Sequence, residues 1–347
     1  MAGVERKQTV WGVLARLFVV LTALAVGVVA LVLVYLPDRH ALLAYLQYLP
    51  YPVYLAPAVA ATVCTAWLGW RWRLLAGLSV LVVLTVIMGL CVGQPDEGYG
   101  RLRFMSYNVK AHLAVGEANG LGELTSEILV HDPDVLVMQD AGSLMLVKYR
   151  QPEVFAALVG KREVYAYGQY LVASRLPLKD CAPGAIPFRD KQHTFVHCVL
   201  TVHGKEVDLV AVHFLTPRDG LNAVRHEGLT GLDDWRENML DRMNQSRGLA
   251  EQVSRMKRPR IVAGDLNAPE GSAVVQNLLH TGLRDAYSSS SWGYGFTYGH
   301  SLKPGISFLR IDHVLVSDDI GVAAAYAGGS KASQHRPVVV DLQMTRD

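Results

Sequence analysis

Residues 258–272 read RPRIVAGDLNAPEGS, where the apolar run Ile261-Val262-Ala263 stops at Gly264 and is followed by Asp265 and Asn267. Residues two apart on an extended chain project to the same side, so this carboxylate and this carboxamide would face one space. A single segment of this kind is an ordinary turn, because Asp, Asn, Gly and Pro all suit turns. The pattern recurs, however, along the chain. Residues 102–109 end in SYNV and give Asn108, and 134–138 lead through MQDAG to Gln139 and Asp140. Residues 207–212 run into VHFLTP with His213, 309–316 carry RIDHVLVS with Asp312 and His313, and SQHRPV brings Gln334 and His335 before the last apolar run. Apolar runs that end repeatedly in acids, amides and imidazoles point to one shared site.

Such groups suit metal-assisted attack on a phosphate ester. Carboxylate and carbonyl oxygens are hard ligands that favour Mg²⁺ or Mn²⁺. The reaction also needs a positioned water, a base, and donors for the charge that develops on the phosphoryl oxygens. The chain has no Cys/His cluster of zinc spacing, no P-loop and no Gly-x-Ser-x-Gly elbow, so those three chemistries lack their residues. His193, His197, His203 and His300 are scattered and read as surface or packed core residues. His313 lies on the opposite side of its strand from Asp312 and reads as structural.

The elements that would position this set follow from the apolar pattern. Strands are expected at 102–109, 134–138, 165–174, 194–203, 207–213, 261–263, 309–317 and 337–344, with helices at 121–131, 233–256 and 272–279. Strands and helices interleave throughout, which suggests a layered α/β protein built on two packed sheets.

The first hundred residues are different. Residues 17–36 hold about twenty residues without a charge, the length that crosses a bilayer core of roughly 30 Å. Residues 52–70 and 74–93 are two further uncharged runs. Three transmembrane helices are therefore expected in a membrane region of residues 1–93, followed by a linker at 94–100 and a catalytic domain at 101–347. The first run is longer than the apolar core of a signal peptide, and no cleavage site follows it. Arg6, Lys7 and Arg16 precede the first run, and Arg71 and Arg73 separate the other two. Positive residues stay in the cytoplasm, so three crossings would place the catalytic domain outside it. Of the four cysteines, Cys181 and Cys198 are either a bridge or two buried thiols. A net charge of +2 argues against a strongly basic nucleic-acid surface.

The order SYNV, QD, VHF, GDLN, IDHVLVS, SQHRPV resembles the endonuclease/exonuclease/phosphatase superfamily, which includes DNase I, apurinic endonucleases, neutral sphingomyelinases and inositol-polyphosphate 5-phosphatases. The resemblance spans roughly residues 101–345, and membrane-tethered bacterial members are similar in plan. It implies a four-layered α/β sandwich, two facing mixed sheets flanked by helices. It also implies roles. Asn108 and Asp140 would hold the metal, with Gln334 beside it. Asp265 would position or deprotonate the attacking water, and Asn267 would steady the phosphate. His213 and His335 would bind phosphoryl oxygens and share proton transfer, with Asp312 orienting His335. Arg242 and Gln245 match a family pattern and read as structural.

Two positions depart from the family. Its Gln-Glu is Gln139-Asp140 here, shorter by one methylene, and its Ser-Asp-His is Ser333-Gln334-His335, which removes a negative charge beside the metal. The expected activity is a membrane-anchored, divalent-metal-dependent phosphoesterase, with a lipid phosphate as its substrate. A membrane-anchored nuclease acting on nucleic acid is the alternative, and a weak or inactive binding module is a further one. The bilayer is the partner implied by the N-terminal helices, and no protein partner is inferable.

Overall fold

The structure is a computed structural model that describes residues 10–188, 191–302 and 305–345. The chain divides into two compact units, Met1–Leu90 and Cys91–Asp347.

The first unit is helical: α1 (Val10–Tyr35), α2 (Ala41–Leu46), α3 (Pro52–Cys64) and α4 (Trp70–Val82), the last continuing as a π-helical turn over Val83–Ile87. Two stretches, Val10–Tyr35 and Trp70–Ile87, are long and apolar enough to cross a membrane. The expected span at 52–70 is instead the 13-residue α3, which contains Pro57. At 1.5 Å per residue it extends about 20 Å, short of a bilayer core of roughly 30 Å. The expected span at 74–93 also ends early. Gly89 turns with φ +69°, and Cys91–Val92 is a strand paired with Trp292–Gly293 in the second unit. Packing nevertheless gives the direction of each helix. Val19 meets Ala61 and Ala76 in one layer, while Val26 meets Ala58 and Val83 in the next. Helices α1 and α4 therefore run parallel with α3 antiparallel between layers, and the alanines allow close approach.

The second unit contains β1 (Cys91–Val92), β2 (Tyr99–Asn108), β3 (Val135–Gln139), β4 (Glu163–Tyr167), β5 (Tyr170–Ser174), β6 (Leu178–Phe188), β7 (Lys191–Val202), β8 (Lys205–His213), β9 (Arg260–Asp265), β10 (Leu283–Asp285), β11 (Trp292–Gly293), β12 (Asp312–Ser317), β13 (Ile320–Ala327) and β14 (Val338–Met344). Its helices are α5 (Ala111–Gly116), α6 (Gly120–His131), α7 (Leu144–Arg150), α8 (Pro152–Val159), α9 (Arg218–Glu227), α10 (Leu232–Ser254), α11 (Ala273–Leu279) and α12 (Ala286–Ser290). One six-stranded sheet has the order β13-β14-β2-β3-β5-β4, and the other β10-β12-β9-β8-β7-β6. The expected strand at 165–174 is a hairpin, β4 and β5, that turns at Gly168 with φ +57°. The expected linker is partly strand, since Tyr99 and Gly100 belong to β2, and Asp96 accepts a hydrogen bond from the Val322 amide at 2.8 Å.

Alternation along the strands builds the layers. Leu102 and Phe104 of β2, Val207, Leu209 and Ala211 of β8, Ile261 and Ala263 of β9, and Val314 and Val316 of β12 meet between the sheets. The opposite faces are covered by helices. Met105, Leu136 and Leu171 lie under residues of α6 and α8, and Val210, Val212, Val262 and Leu315 under α10 and α11. The result is the expected helix–sheet–sheet–helix sandwich. It also decides where the chemistry goes. Asn108, His213, Asp265 and Asp312 each continue the inward-facing period of their strand, so four strands aim them into one space.

Cys181 and Cys198 form a disulfide between the adjacent strands β6 and β7, across a sequence separation of 17. The double variant Cys181→Ser/Cys198→Ser is expected to lose about 2–3 kcal/mol, the closure entropy of a loop this short. Denaturant unfolding of the two proteins checks this, and equal midpoints would contradict it.

Three ion pairs set the acid limit of the fold. Burial would raise Asp341, but Arg103 and Arg101 hold its carboxyl below the usual range. The His131 hydrogen bond does the same for Glu127, and Arg310 and His313 do so for Asp285 against its burial. The unfolded chain therefore takes up protons first as pH falls. Stability from these groups is fully present above about pH 5 and is lost as pH drops through 4 and below. Thermal melts between pH 7 and pH 3 should show this decline, and a flat profile would count against it.

Candidate active site

Gly264 is the local reason that the site closes. Its φ is +153°, and a Cβ placed on it would sit 1.7 Å from the Val212 carbonyl oxygen. Only glycine lets β8 and β9 run this close, and their parallel register sets His213 beside Asp265. Strand β12 pairs antiparallel on the other side and sets Asp312 opposite Asp265.

Asp265 is the centre. It is 1% exposed, and Asn108 Nδ2 donates to its Oδ2 at 2.8 Å. The Asn267 amide donates to its Oδ1 at 2.9 Å. His213 Nε2 and His335 Nε2 both face the same Oδ2, at 3.4 and 3.7 Å. Burial works to raise the Asp265 carboxyl, but the two histidines and Lys110 outweigh it and keep it well below the ordinary carboxylate range. His335 is the converse case. Burial opposes its charge, but Asp312 and Asp265 raise it above the usual imidazole value. Asp312 Oδ2 lies 2.9 Å from His335 Nδ1, which fixes that nitrogen as the donor and leaves Nε2 toward Asp265. The Thr297 hydroxyl accepts from the amides of Ile311 and Asp312 at 3.2 and 3.3 Å and seats the start of β12.

Asp140 leaves β3 with φ +51°. One oxygen lies 3.7 Å from His213 Nδ1, and the other takes the Lys110 ammonium. Burial alone would raise Asp140, but His213 and Lys110 reverse that and lower it. Gln169 Oε1 accepts from His213 Nδ1 at 2.7 Å, and the Tyr170 hydroxyl accepts from the His213 amide at 3.0 Å.

Most of the residues expected from sequence thus meet. Two are placed differently. Asn267 does not share the face of Asp265 as a strand residue, because β9 ends at Asp265 and Asn267 turns left-handed with φ +51°. Its carboxamide donates to the Phe214 carbonyl at 2.9 Å, so it steadies the loop after β8. Gln334 is half-buried next to His335 and hydrogen-bonds none of the cluster. His193 is not isolated, because its Nε2 contacts the His213 carbonyl. Arg242 and Gln245 act as expected, bonding the Asn267 carbonyl at 3.3 Å and the Leu215 amide at 3.0 Å.

His313 points away from the site. It lies 2.6 Å from Asp285 and 2.9 Å from the Ala268 carbonyl, inside a buried network with Arg310 and Glu270. Sequence reading missed Lys110, Gln169, Tyr170 and Thr297. Lys110 alone carried a signal, standing two residues after Asn108.

The donor set fits a divalent cation. Asp265, Asp312 and His335 bring ligand atoms within 4.8 Å of one another, and Asn108 and Asp140 add oxygens at the same strand ends. Hard oxygen donors dominate, with no thiolate among them.

Fold and site together define an α/β sandwich with a carboxylate–imidazole centre at one end of two facing sheets. The endonuclease/exonuclease/phosphatase family matches residues 105–335, and the chain belongs to that family. Its superfamily consists of hydrolases acting on phosphoester bonds, commonly with a metal. No curated protein matches the chain. Solved structures that share the fold include an endonuclease/exonuclease/phosphatase from Bacteroides vulgatus, 13% identical, covering 71% of this chain and 100% of that one, with a TM-score of 0.54. D. rerio TDP2 complexed with single-strand DNA product is 15% identical, covering 70% and 99%, with a TM-score of 0.54. The human Nocturnin catalytic domain with bound sulfate is 17% identical, covering 72% and 98%, with a TM-score of 0.51.

Proposed function

We propose that the chain is a membrane-anchored, divalent-metal-dependent phosphoesterase that hydrolyses a lipid-borne phosphate ester outside the cytoplasm. The observation that carries this reading is the convergence of two imidazoles on one buried, ionised carboxylate, with a second carboxylate behind His335. Asn108, Asp140 and Asp265 would hold Mg²⁺ or Mn²⁺, which would supply positive charge for the phosphoryl oxygens. Asp265 holds the attacking water by one oxygen and accepts its proton. His335, kept cationic by Asp312, donates from Nε2 to a phosphoryl oxygen or to the departing group. His213, oriented by Gln169, turns its Nε2 toward the same space.

Several features favour a lipid substrate. Helix α1 has 26 residues and is apolar enough to cross a bilayer, and α1, α3 and α4 alternate in direction. Parallel α1 and α4 start on one side, where Arg71 and Arg73 stand, and the chain leaves α4 on the other. The Cys181–Cys198 bridge suits an oxidising compartment. A net charge of +2 gives no electrostatic footprint for nucleic acid.

The test uses the full chain in lipid nanodiscs with Mg²⁺ or Mn²⁺, beside Asp265→Asn and His335→Ala. Lipid phosphate, a chromogenic phosphodiester and plasmid DNA are the substrates. Turnover of the lipid, lost in both variants, supports the reading. Turnover of DNA alone would replace it with a nuclease, and no metal-dependent turnover would leave a binding module. A reporter fused after Asp347 checks the side, and a cytoplasmic signal would overturn the topology.

A further inference from the structure

Lys110 sets a cationic side chain among the oxygen donors of the site. Its ammonium contacts Asp140, and its backbone N–H donates to Asn108 Oδ1 at 3.3 Å. One residue thus engages both groups at the ends of β2 and β3 that the preceding subsection gives to the cation. We propose that Lys110 is a built-in competitor for the metal, which contacts Asp140 and sets how much divalent cation the site requires. This rests on the metal-dependent reading of the site.

The placement is constructed rather than incidental. Lys110 and Asp140 both adopt left-handed backbone, with φ +44° and +51°. Lysine does not favour that region, and such conformations persist where the surroundings over-determine them. Here the two turns are stitched together: the Ala111 amide donates to the Asp140 carbonyl at 3.0 Å, and Val109 to Gln139 at 3.1 Å. The side chains of Lys110 and Asp140 are only 16% and 22% exposed, so solvent screens the pair weakly.

The charge balance makes the same point. The Lys110 ammonium already stands against Asp140. A dication entering a balanced site gains less than one entering a surplus of negative charge. Two features in the sequence point the same way. Asp140 has a short side chain that the Lys110 ammonium reaches directly, and Gln334 contributes no charge. Lys110 competes with the cation for one oxygen of Asp140, the other lying 3.7 Å from His213 Nδ1.

Calorimetric titration of the full chain in nanodiscs with Mn²⁺ tests this. Lys110→Met, which keeps the stem and removes the charge, should bind Mn²⁺ about tenfold more tightly than wild type. Lys110→Arg, which keeps the charge, should bind as wild type does. Lys110→Gln is measured alongside, so that misfolding of one variant does not decide the outcome. As a readout independent of turnover, Mn²⁺ should raise the melting temperature of Lys110→Met more than that of wild type. Unchanged or weaker Mn²⁺ binding in both neutral variants would overturn the role of Lys110 and leave the proposed function standing. No Mn²⁺ binding by wild type or any variant would overturn both.

Discussion

Asp265→Asn is expected to lower turnover by about a thousandfold or more while the fold survives. The substitution keeps size and shape, so the Asn267 amide retains an acceptor at the position now 2.9 Å away. The charge is what disappears. General-base contributions are typically worth between about a hundredfold and ten-thousandfold. Here the same carboxylate also supports the cationic form of His335, so more than one function is lost at once. An Asn side chain must also turn its NH₂ toward at least one existing donor, because Asn108 Nδ2, His213 Nε2 and His335 Nε2 all face Oδ2. The measurement is steady-state turnover beside a thermal melt of the same preparation. A folded variant keeping a tenth of wild-type activity would remove Asp265 from the centre of the reaction.

Arg310→Met should have the largest effect on stability, with no group of the reacting centre touched. Arg310 is buried, bonded to Asp285 at 2.8 Å and paired with Glu270, and its guanidinium lies 5.4 Å over the Tyr287 ring. Burial disfavours its charge, but Asp285 and Glu270 together raise it above the usual value. Removing one partner of a buried ion pair leaves the other uncompensated and costs about 3–5 kcal/mol. For a unit of this size that corresponds to a melting temperature lower by roughly 10 °C. Differential scanning fluorimetry of the full chain decides it, and a drop under about 2 °C would show that the network contributes little.

Much of the site could be read before any fold was known, and the reason is the period of two. Asn108, His213, Asp265 and Asp312 stand at strand ends in phase with apolar residues that must be buried, so their direction followed from their neighbours. Asn267 failed the same rule because the rule holds only while the strand lasts, and a left-handed turn intervenes. Lys110 and Gln169 reach the site from turns, where no periodicity announces direction. His313 was rightly separated from Asp312 by alternation, but its partner Asp285 lies 28 residues away and nothing local signals it. The helical unit was legible as apolar composition and not as length. Hydropathy cannot distinguish a long helix from a short one flanked by apolar turns, which is where α3 falls short. Nor does it register that Cys91 and Val92 find a strand partner two hundred residues on.

The order in which the site is supplied has a consequence for biosynthesis. Asn108 comes from the second strand of the catalytic unit, whereas His335 arrives just before β14, the last of its strands among the described residues. Strand β14 is not an edge, since it inserts between β13 and β2. A chain still being made, or clipped before residue 335, leaves β2 with an open, apolar flank and Asp265 without one imidazole. Such a chain lacks both the strand that covers β2 and one of the two imidazoles that face Asp265.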